Sequence, residues 1–199
     1  MTKKPFNIVI LISGRGTNLQ ALINASSRSS YQISAVISNN ANARGLKKAE
    51  RYGIDTFIIE HKAFDSKVAF EKSLAAKIRE INPSLIVLAG FMRVLGPKFI
   101  RLFRGKIINI HPSLLPKYPG LNTHQRVLED NEEIHGVTVH FVTEELDGGQ
   151  IIAQDSVPVL SNDTAETLAA RVLEKEHLLY PKVIESLAAG KIQMENEYA

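Results

Sequence analysis

Apolar runs and helical repeats alternate along the first half of the chain. The run over residues 7–12 is apolar after its first position, which is typical of a parallel strand buried on both faces. Further strands are predicted at residues 33–38, 56–59 and 84–89. Helices are predicted from residue 18, over 44–52, from about 67 to 81 and over 97–103. This alternation predicts a doubly wound α/β domain, with a mostly parallel, twisted sheet and helices on both faces.

The second half begins with a strand over residues 106–111 whose last polar residues fall at every second position. Asn109 and His111 therefore lie on one face, and Pro112 ends the strand because proline has no N–H to give a sheet. A short helix is predicted at 123–128, and alternation predicts a half-buried antiparallel strand at 136–142. An apolar strand at 150–159 and a long helix complete the chain; the helix is capped by Asp163 with Glu166 three residues on, and its inner stripe is Leu168, Val172, Leu179 and Val183.

The loop between the first strand and the first helix has the features of an anion site. Gly14 and Gly16 lie in it, where exposed N–H groups and the positive end of a helix dipole attract a phosphate. A dinucleotide fingerprint requires a third glycine at the position of Leu19, so the loop favours a monophosphate over NAD. An ordinary tight turn is the alternative for these two glycines.

Size and composition narrow the possible classes. With 199 residues and 44% hydrophobic positions, the chain predicts one domain over residues 1–199. Its 24 basic and 21 acidic residues are not the basic excess of a nucleic-acid-binding protein, and the absence of cysteine excludes disulfides and cysteine nucleophiles. No apolar run approaches the ~18 residues of a membrane span, so we expect a soluble, cytoplasmic protein. The helix predicted over 44–52 has one basic face, which we expect to be exposed to solvent; its residues are Arg44, Lys47, Lys48 and Arg51.

Three polar residues form the smallest set capable of acyl-group chemistry, namely Asn109, His111 and Asp147. A carboxylate near a histidine favours the protonated ring, which then gives and takes protons near neutrality. A carboxamide beside it can donate a hydrogen bond to the oxygen of a carbonyl under attack. On the residues alone, His111 is also an ordinary strand-end histidine and Asp147-Gly148-Gly149 an ordinary turn, because periodicity does not join these two segments.

The run from Asn109 to Gly120, Asn-Ile-His-Pro-Ser-Leu-Leu-Pro-Lys-Tyr-Pro-Gly, resembles the phosphoribosylglycinamide formyltransferases, folate-dependent enzymes of purine synthesis. Gly14-x-Gly16-Thr17-Asn18 before it and Glu145-Leu146-Asp147-Gly148-Gly149 after it match the same family in the same order. The resemblance implies direct transfer of a formyl group from 10-formyltetrahydrofolate to the amine of glycinamide ribonucleotide. It implies His111 as general acid/base, Asn109 as oxyanion donor and Asp147 as the residue that orients His111.

The resemblance also implies the binding residues and a division of the domain, with residues 1–105 holding the phosphate and 106–199 the catalytic and folate-binding groups. The ribonucleotide would contact Gly16, Thr17, Asn18, Leu173, Glu174, Lys175 and Glu176. The folate would contact Lys67, Met92, Arg93, Val94, Leu95, Asn109, Thr143, Glu144, Glu145, Leu146 and Asp147. Lys67 replaces an arginine and Asn122 a histidine of the family pattern. The expected partners are these two small molecules, without metal, nucleic acid or membrane, and the expected state is a monomer or weak homodimer.

Other functions compete with this interpretation. Methionyl-tRNA formyltransferase and formyltetrahydrofolate deformylase share the fold, but each has a further domain that is not expected here, because the sequence starts at the first strand and ends at Ala199. A metal hydrolase would use His111, His140 and Asp147 as ligands. A non-catalytic nucleotide-binding module would need only the phosphate loop.

Overall fold

The computed structural model describes residues 5–193, and its strands form one seven-stranded sheet in the order β3-β2-β1-β4-β5-β6-β7. All neighbours from β3 to β5 run parallel, whereas β6 is antiparallel to β5 and β7 to β6. The predicted mostly parallel sheet with an antiparallel C-terminal end is therefore confirmed. The strands are β1 (Phe6–Ile12), β2 (Tyr31–Ser38), β3 (Thr56–Ile58), β4 (Leu85–Leu88), β5 (Ile107–His111), β6 (Ile134–Phe141) and β7 (Ile151–Pro158).

Six α-helices cover the two faces of the sheet within this part of the chain. They are α1 (Thr17–Ser26), α2 (Arg44–Arg51), α3 (Lys67–Ile81), α4 (Pro97–Leu102), α5 (Thr123–Glu129) and α6 (Ala165–Ala188). In β1, alternate side chains enter two separate hydrophobic clusters, with Ile10 in one and Val9 and Leu11 in the other. The first cluster contains residues of α1, α2, α5 and α6, and the second contains residues of α3 and α4. A strand buried on both faces therefore reads as a continuous apolar run.

The helix α6 starts differently from the prediction. Its N-cap is Thr164, which exchanges hydrogen bonds with Thr167: Thr167 N–H donates to Thr164 Oγ1 at 3.3 Å, and Thr164 N–H donates to Thr167 Oγ1 at 2.9 Å. The predicted cap at Asp163 with Glu166 is wrong. Asp163 instead accepts two hydrogen bonds from the guanidinium of Arg171, both of 2.7 Å, which hold the pKa of that carboxyl well below its usual range.

Two further features differ from the sequence pattern. The predicted last strand is present as β7, but it lies at the edge of the sheet, and of its eight residues only Val157 is buried. The inner stripe of α6 contains Leu168, Val172 and Val183 as predicted, with Leu179 half-buried against the same cluster, and it also contains Tyr180, which is fully buried. No helix within residues 5–193 combines the length and apolar character needed to cross a membrane.

Candidate active site

The antiparallel pairing of β5 with β6 brings two polar pairs to one face of the sheet. Asn109 lies opposite His140 and His111 opposite Thr138, whereas the intervening Ile110 belongs to the first hydrophobic cluster. Strand parity therefore places Asn109 and His111 on the same face, at the carboxyl end of β5. This is the edge at which open α/β sheets bind ligands.

One nitrogen of the His111 ring is fixed by the main chain. The Nε2 atom lies 2.8 Å from the carbonyl oxygen of Tyr118, and since a carbonyl only accepts, Nε2 carries the proton. The Nδ1 atom then points to the carboxylate of Asp147, 3.5 Å from Oδ2. Both side chains are more than nine-tenths buried. The ring is thus oriented by a backbone carbonyl, and its second nitrogen faces a negative charge.

Asp147 is held in place by backbone geometry and by a backbone donor. Its φ of 52° lies in the left-handed region, which aspartate tolerates better than most residues. The N–H of Gly120 donates to Asp147 Oδ2 at 2.8 Å. A residue in this region costs of order 1–3 kcal/mol and persists where the surroundings over-determine it, as often happens at functional sites. Gly120 and Tyr118 belong to the same loop, so one loop holds both the ring and the carboxylate.

The loop that follows β5 is anchored to β6 through Thr138. The hydroxyl of Thr138 donates to the carbonyl of Ser113 at 2.7 Å and accepts the N–H of Leu115 at 3.0 Å. The hydroxyl of Ser113 in turn donates to the carbonyl of Lys117 at 2.7 Å. These bonds fix the main chain just before Tyr118 and Gly120. Sequence reasoning missed the contact of His111 with the Tyr118 carbonyl and that of Asp147 with the Gly120 N–H. Such contacts leave no signal in a sequence, because every residue has a carbonyl and nearly every residue an N–H.

Asn109 is oriented by a second histidine. His140 Nδ1 donates to the carbonyl of Phe141 at 2.8 Å, and burial lowers the pKa of this ring, so His140 is neutral near pH 7 and its Nε2 only accepts. The Nδ2 atom of Asn109 lies 3.3 Å from that nitrogen and must be the donor. One N–H of the Asn109 amide is used in this bond, and the other remains available for an oxyanion.

The predicted ribonucleotide residues meet where α1 approaches α6. Gly16 has a φ of 65° and is the N-cap of α1, without a side-chain cap. Asn18 Nδ2 donates to Glu176 Oε2 at 2.6 Å, and burial raises the pKa of Glu176. Within residues 5–193, just two buried side-chain polar atoms have no hydrogen-bond partner, and they are Asn18 Oδ1 and His177 Nε2. Such atoms are costly without a partner, so their neighbourhood suits a polar ligand.

The other predicted ribonucleotide residues differ in exposure. Leu173 is half-buried and Glu174 is exposed. Lys175 forms an ion pair with Asp155, 3.2 Å from Nζ to Oδ2. The structure therefore brings Gly16, Asn18 and Glu176 together, as the prediction requires, whereas the lysine has a partner on β7.

The predicted folate residues include apolar side chains that are open to solvent. Met92 and Val94 are 70% and 66% exposed in the loop after β4, and Leu146 is 56% exposed beside Asp147. Such exposed apolar side chains near buried polar groups are typical of a ligand site. Leu95, by contrast, is only 6% exposed and packs in the second hydrophobic cluster, so its side chain belongs to the core. Arg93 in the same loop is exposed.

Two charged residues of the predicted folate set, Lys67 and Glu144, form ion pairs at the surface. Glu144 pairs with Arg101 of α4 at 2.8 Å, and Lys67 pairs with Glu71 at 3.7 Å. The pair of Glu144 with Arg101 is exposed on both sides and adds little stability. Next to Glu144 in the sequence, the hydroxyl of Thr143 lies 3.4 Å from the carbonyl of Glu145.

A groove of about 520 Å³ lies between α3 and α4 and is lined by Lys67, but not by His111 or Asp147. This groove is therefore separate from the cluster of Asn109, His111 and Asp147. In the part of the chain that is described, no three histidine or carboxylate side chains form a group able to hold a metal ion. The metal-hydrolase alternative, which needs His111, His140 and Asp147 as ligands, gains no support from this geometry.

Known proteins resemble this chain over nearly its whole length. The family described as formyl transferase matches residues 6–184. The phosphoribosylglycinamide formyltransferase of Escherichia coli is 48% identical over 195 residues, which cover 97% of this chain and 92% of that protein. The human trifunctional purine biosynthetic protein adenosine-3 is 45% identical over 96% of this chain, which spans 19% of that longer protein.

Solved structures give the same result for the fold. A phosphoribosylglycinamide formyltransferase from Coxiella burnetii, in complex with CHES, matches with a TM-score of 0.92 and 51% identity, over 98% of this chain and 92% of that one. The enzyme of the same name from Brucella melitensis matches with a TM-score of 0.89 and 49% identity, over 96% of this chain and 100% of that one.

Proposed function

Because this chain belongs to the formyl transferase family, we propose that it transfers the formyl group of 10-formyltetrahydrofolate to the amino group of glycinamide ribonucleotide. The chain is an enzyme of the formyltransferase class, and its curated relatives carry the names of purine-biosynthesis enzymes. The products of the proposed reaction are formylglycinamide ribonucleotide and tetrahydrofolate. This reaction is a step of de novo purine biosynthesis.

One observation carries the proposal. The buried ring of His111, with its Nδ1 facing Asp147 at 3.5 Å, lies on the same strand face as an Asn109 amide that has an N–H to spare. Acyl transfer needs a proton acceptor and donor, a charge that favours the protonated ring, and a donor for the developing oxyanion. These three groups supply all three requirements. In this proposal, His111 is the general acid/base, Asp147 is its charged partner and Asn109 is the oxyanion donor.

The proposed chemistry is direct. The amine nitrogen of the acceptor forms a bond to the formyl carbon, the bond from that carbon to N10 of the folate breaks, and one proton moves from the attacking nitrogen to N10. His111 accepts and donates this proton, and such acid–base catalysis is worth about 10²–10⁴ in rate. Asn109 stabilises the carbonyl oxygen while it is negative, which is worth about 10²–10³. The chain has no cysteine to hold the formyl group covalently, and direct transfer needs no such intermediate.

The two substrates would approach the catalytic groups from different elements. The N terminus of α1, with Gly16, Thr17 and Asn18, would hold the phosphate, and Glu176 would hold the ribose. The folate would lie against Met92 and Val94 after β4 and against the loop of residues 143–147, where apolar side chains are exposed. We further propose a cytoplasmic enzyme without metal, active as a monomer or weak homodimer, with residues 1–105 as the phosphate-binding half.

Purified protein tests the proposal directly. Loss of the formyl group from 10-formyltetrahydrofolate should depend on added glycinamide ribonucleotide, and the same assay without the ribonucleotide is the control. Formyl loss to water alone would instead indicate a hydrolase that uses the same fold.

Substitution of His111 tests the mechanism. His111→Ala should abolish turnover, because the other imidazole beside Asp147, that of His140 with its Nε2 3.7 Å from Oδ1, uses this nitrogen to accept from Asn109. It should largely spare the affinity for ribose 5-phosphate, measured by calorimetry, because the phosphate loop lies on α1. Unchanged turnover in this variant would leave only a nucleotide-binding role for the chain.

A further inference from the structure

The helix α2 packs unusually closely against the proposed phosphate loop. Gly45 N–H donates to the carbonyl of Gly14 at 3.1 Å, and a Cβ atom on Gly45 would lie 2.5 Å from Ile12 Cδ1 and 3.3 Å from the Cα atom of Gly16. A side chain at this position would displace the Ile12 side chain and would separate the main chains of Gly45 and Gly16 by a few tenths of an ångström. Glycine at position 45 therefore allows the first turn of α2 to support the main chain of residues 14–16 directly.

Only one of the four basic residues predicted to form a solvated face of α2 turns to this loop. Lys48 is half-buried, and its Nζ donates to the carbonyl of Gly16 at 3.1 Å. Arg44, Lys47 and Arg51 are exposed. The prediction of a solvated face is thus wrong for Lys48. The Gly16 carbonyl that its ammonium binds belongs to the N-cap of α1. An anion would contact the free N–H groups of the first turn, which starts at the next residue.

The neighbourhood of Lys48 also contains buried polar atoms that lack partners. Asn18 Oδ1 and His177 Nε2 are the two such atoms within residues 5–193. Asn18 is two residues from Gly16 and binds Glu176 of α6, and His177 follows Glu176 directly in the sequence. Helices α1, α2 and α6 thus bring a backbone N terminus, a cation and unpaired polar atoms to one place. A phosphate has the charge and the acceptor oxygens that such a place requires.

We propose that Lys48 is a positioning residue for the acceptor's phosphate, and that it sets the preference for a phosphorylated over an unphosphorylated ribosyl acceptor. Its ammonium holds the Gly16 carbonyl, whose bond to Gln20 N–H begins α1, and so keeps the free N–H groups of that turn directed at the anion. It also adds a positive charge next to the site. The proposal rests on the proposed function and adds a residue of α2 to it.

Lys47 provides a matched control, because it is the adjacent lysine and is exposed. In Lys48→Met, the KM for glycinamide ribonucleotide should rise about 10-fold, the lower range of what a hydrogen bond to a charged group is worth. The kcat value and the KM for the folate should stay within about twofold of wild type, and Lys48→Arg should recover most of the loss. Lys47→Met should behave like wild type.

The unphosphorylated acceptor, ribosyl glycinamide, separates a role toward phosphate from a structural role. Its kcat/KM should be the same in wild type and Lys48→Met, so that the preference for the phosphorylated acceptor falls about 10-fold. Equal losses for both acceptors, or a Lys48→Met enzyme indistinguishable from Lys47→Met, would overturn the proposal. Affinity for ribose 5-phosphate, measured by calorimetry on the same variants and on Lys48→Gln, should fall about 10-fold in both Lys48 variants. This binding experiment still decides the proposal if wild type shows no ribonucleotide-dependent turnover, which would refute the proposed function alone.

Discussion

Mild acid should destabilise this protein through a buried pair of histidines. His135 of β6 is 1% exposed, and its Nε2 lies 3.0 Å from Nδ1 of His124 at the start of α5. One ring must donate a hydrogen bond to the other, and no ring nitrogen is left to accept it when both rings are protonated. Burial lowers the pKa of His135 to about 4, and the nearby charges of His124 and His111 act in the same direction. The folded state therefore requires a neutral ring at position 135.

The magnitude follows from the difference between the folded and unfolded states. In the unfolded chain the ring takes up a proton near its ordinary pKa of 6.5, whereas in the folded protein it does so only near pH 4. The stability that this neutral ring contributes is complete above pH 6.5 and is lost as the pH falls from 6.5 towards 4. At 1.36 kcal/mol per pH unit, the whole loss is about 3 kcal/mol, with about 2.5 kcal/mol of it reached by pH 4.5.

Urea unfolding between pH 7 and pH 4.5 measures this loss when wild type is compared with His135→Gln. Glutamine keeps a polar partner for His124 but does not titrate. The free energy of unfolding of wild type, relative to the variant, should fall by about 2.5 kcal/mol over that range. The comparison removes the contributions of titrating groups remote from position 135, because both proteins share them, and the measured difference belongs to the His124–His135 pair. Parallel curves for the two proteins would refute the reasoning, whatever their separation at pH 7.

Two further substitutions have defined outcomes. Tyr180→Phe should lower the free energy of unfolding by about 1 kcal/mol, because the buried hydroxyl donates to the carbonyl of Leu88 at 2.9 Å, and a denaturant curve measures it against the exposed control Tyr52→Phe. A loss as small as that of the control would contradict this. Asp147→Asn keeps an oxygen for Gly120 N–H but removes the charge that faces His111, so kcat at saturating substrates should fall by about 10²–10⁴. A kcat within 10-fold of wild type would show that the charge is not needed.

Most strands of the sheet could be predicted because the spacing of their apolar residues is visible in the sequence of each strand. In β1 every residue from Ile8 to Ile12 is fully buried, since helices cover both faces, and the run is apolar throughout. In β6 the pattern alternates, with Val137 and Val139 in the first cluster and His140 on the face of Asn109, but both faces are buried, so the prediction of a half-buried strand is wrong. These signals are local, so one sequence is enough to read them.

The start of α6 could not be predicted in the same way, because it depends on a contact across two turns. Asp163 and Thr164 are adjacent, and either side chain is a good N-cap. Arg171 decides between them by binding both oxygens of Asp163, which leaves Thr164 to cap the helix. That contact exists only once the helix has formed. The same limit applies to Lys48, because its face of α2 is solvated by pattern and turns inward only where Gly45 brings the helix against the loop.

Strand parity joined Asn109 to His111, but it could not bring Asp147 to them; that expectation came from the family resemblance. Nor could the residues alone say which of the two histidines on this face would exchange protons; the family resemblance implied His111. Each ring is fixed at one nitrogen by a carbonyl, His111 at Nε2 by Tyr118 and His140 at Nδ1 by Phe141.

The two rings differ in what is left for their second nitrogen. For His140 it is Nε2, which already accepts from the amide of Asn109 at 3.3 Å. For His111 it is Nδ1, whose contact with Asp147 at 3.5 Å is longer than a hydrogen bond, and which has no hydrogen-bond partner among the described residues. A ring whose free nitrogen already has a partner can orient a neighbour but has no site left for a substrate's proton. Both rings lie near Asp147, since His140 Nε2 is 3.7 Å from Oδ1, but only His111 retains that site. The hydrogen bonds of the two rings, rather than their positions on the strands, therefore support the proposed roles of proton transfer for His111 and orientation for His140.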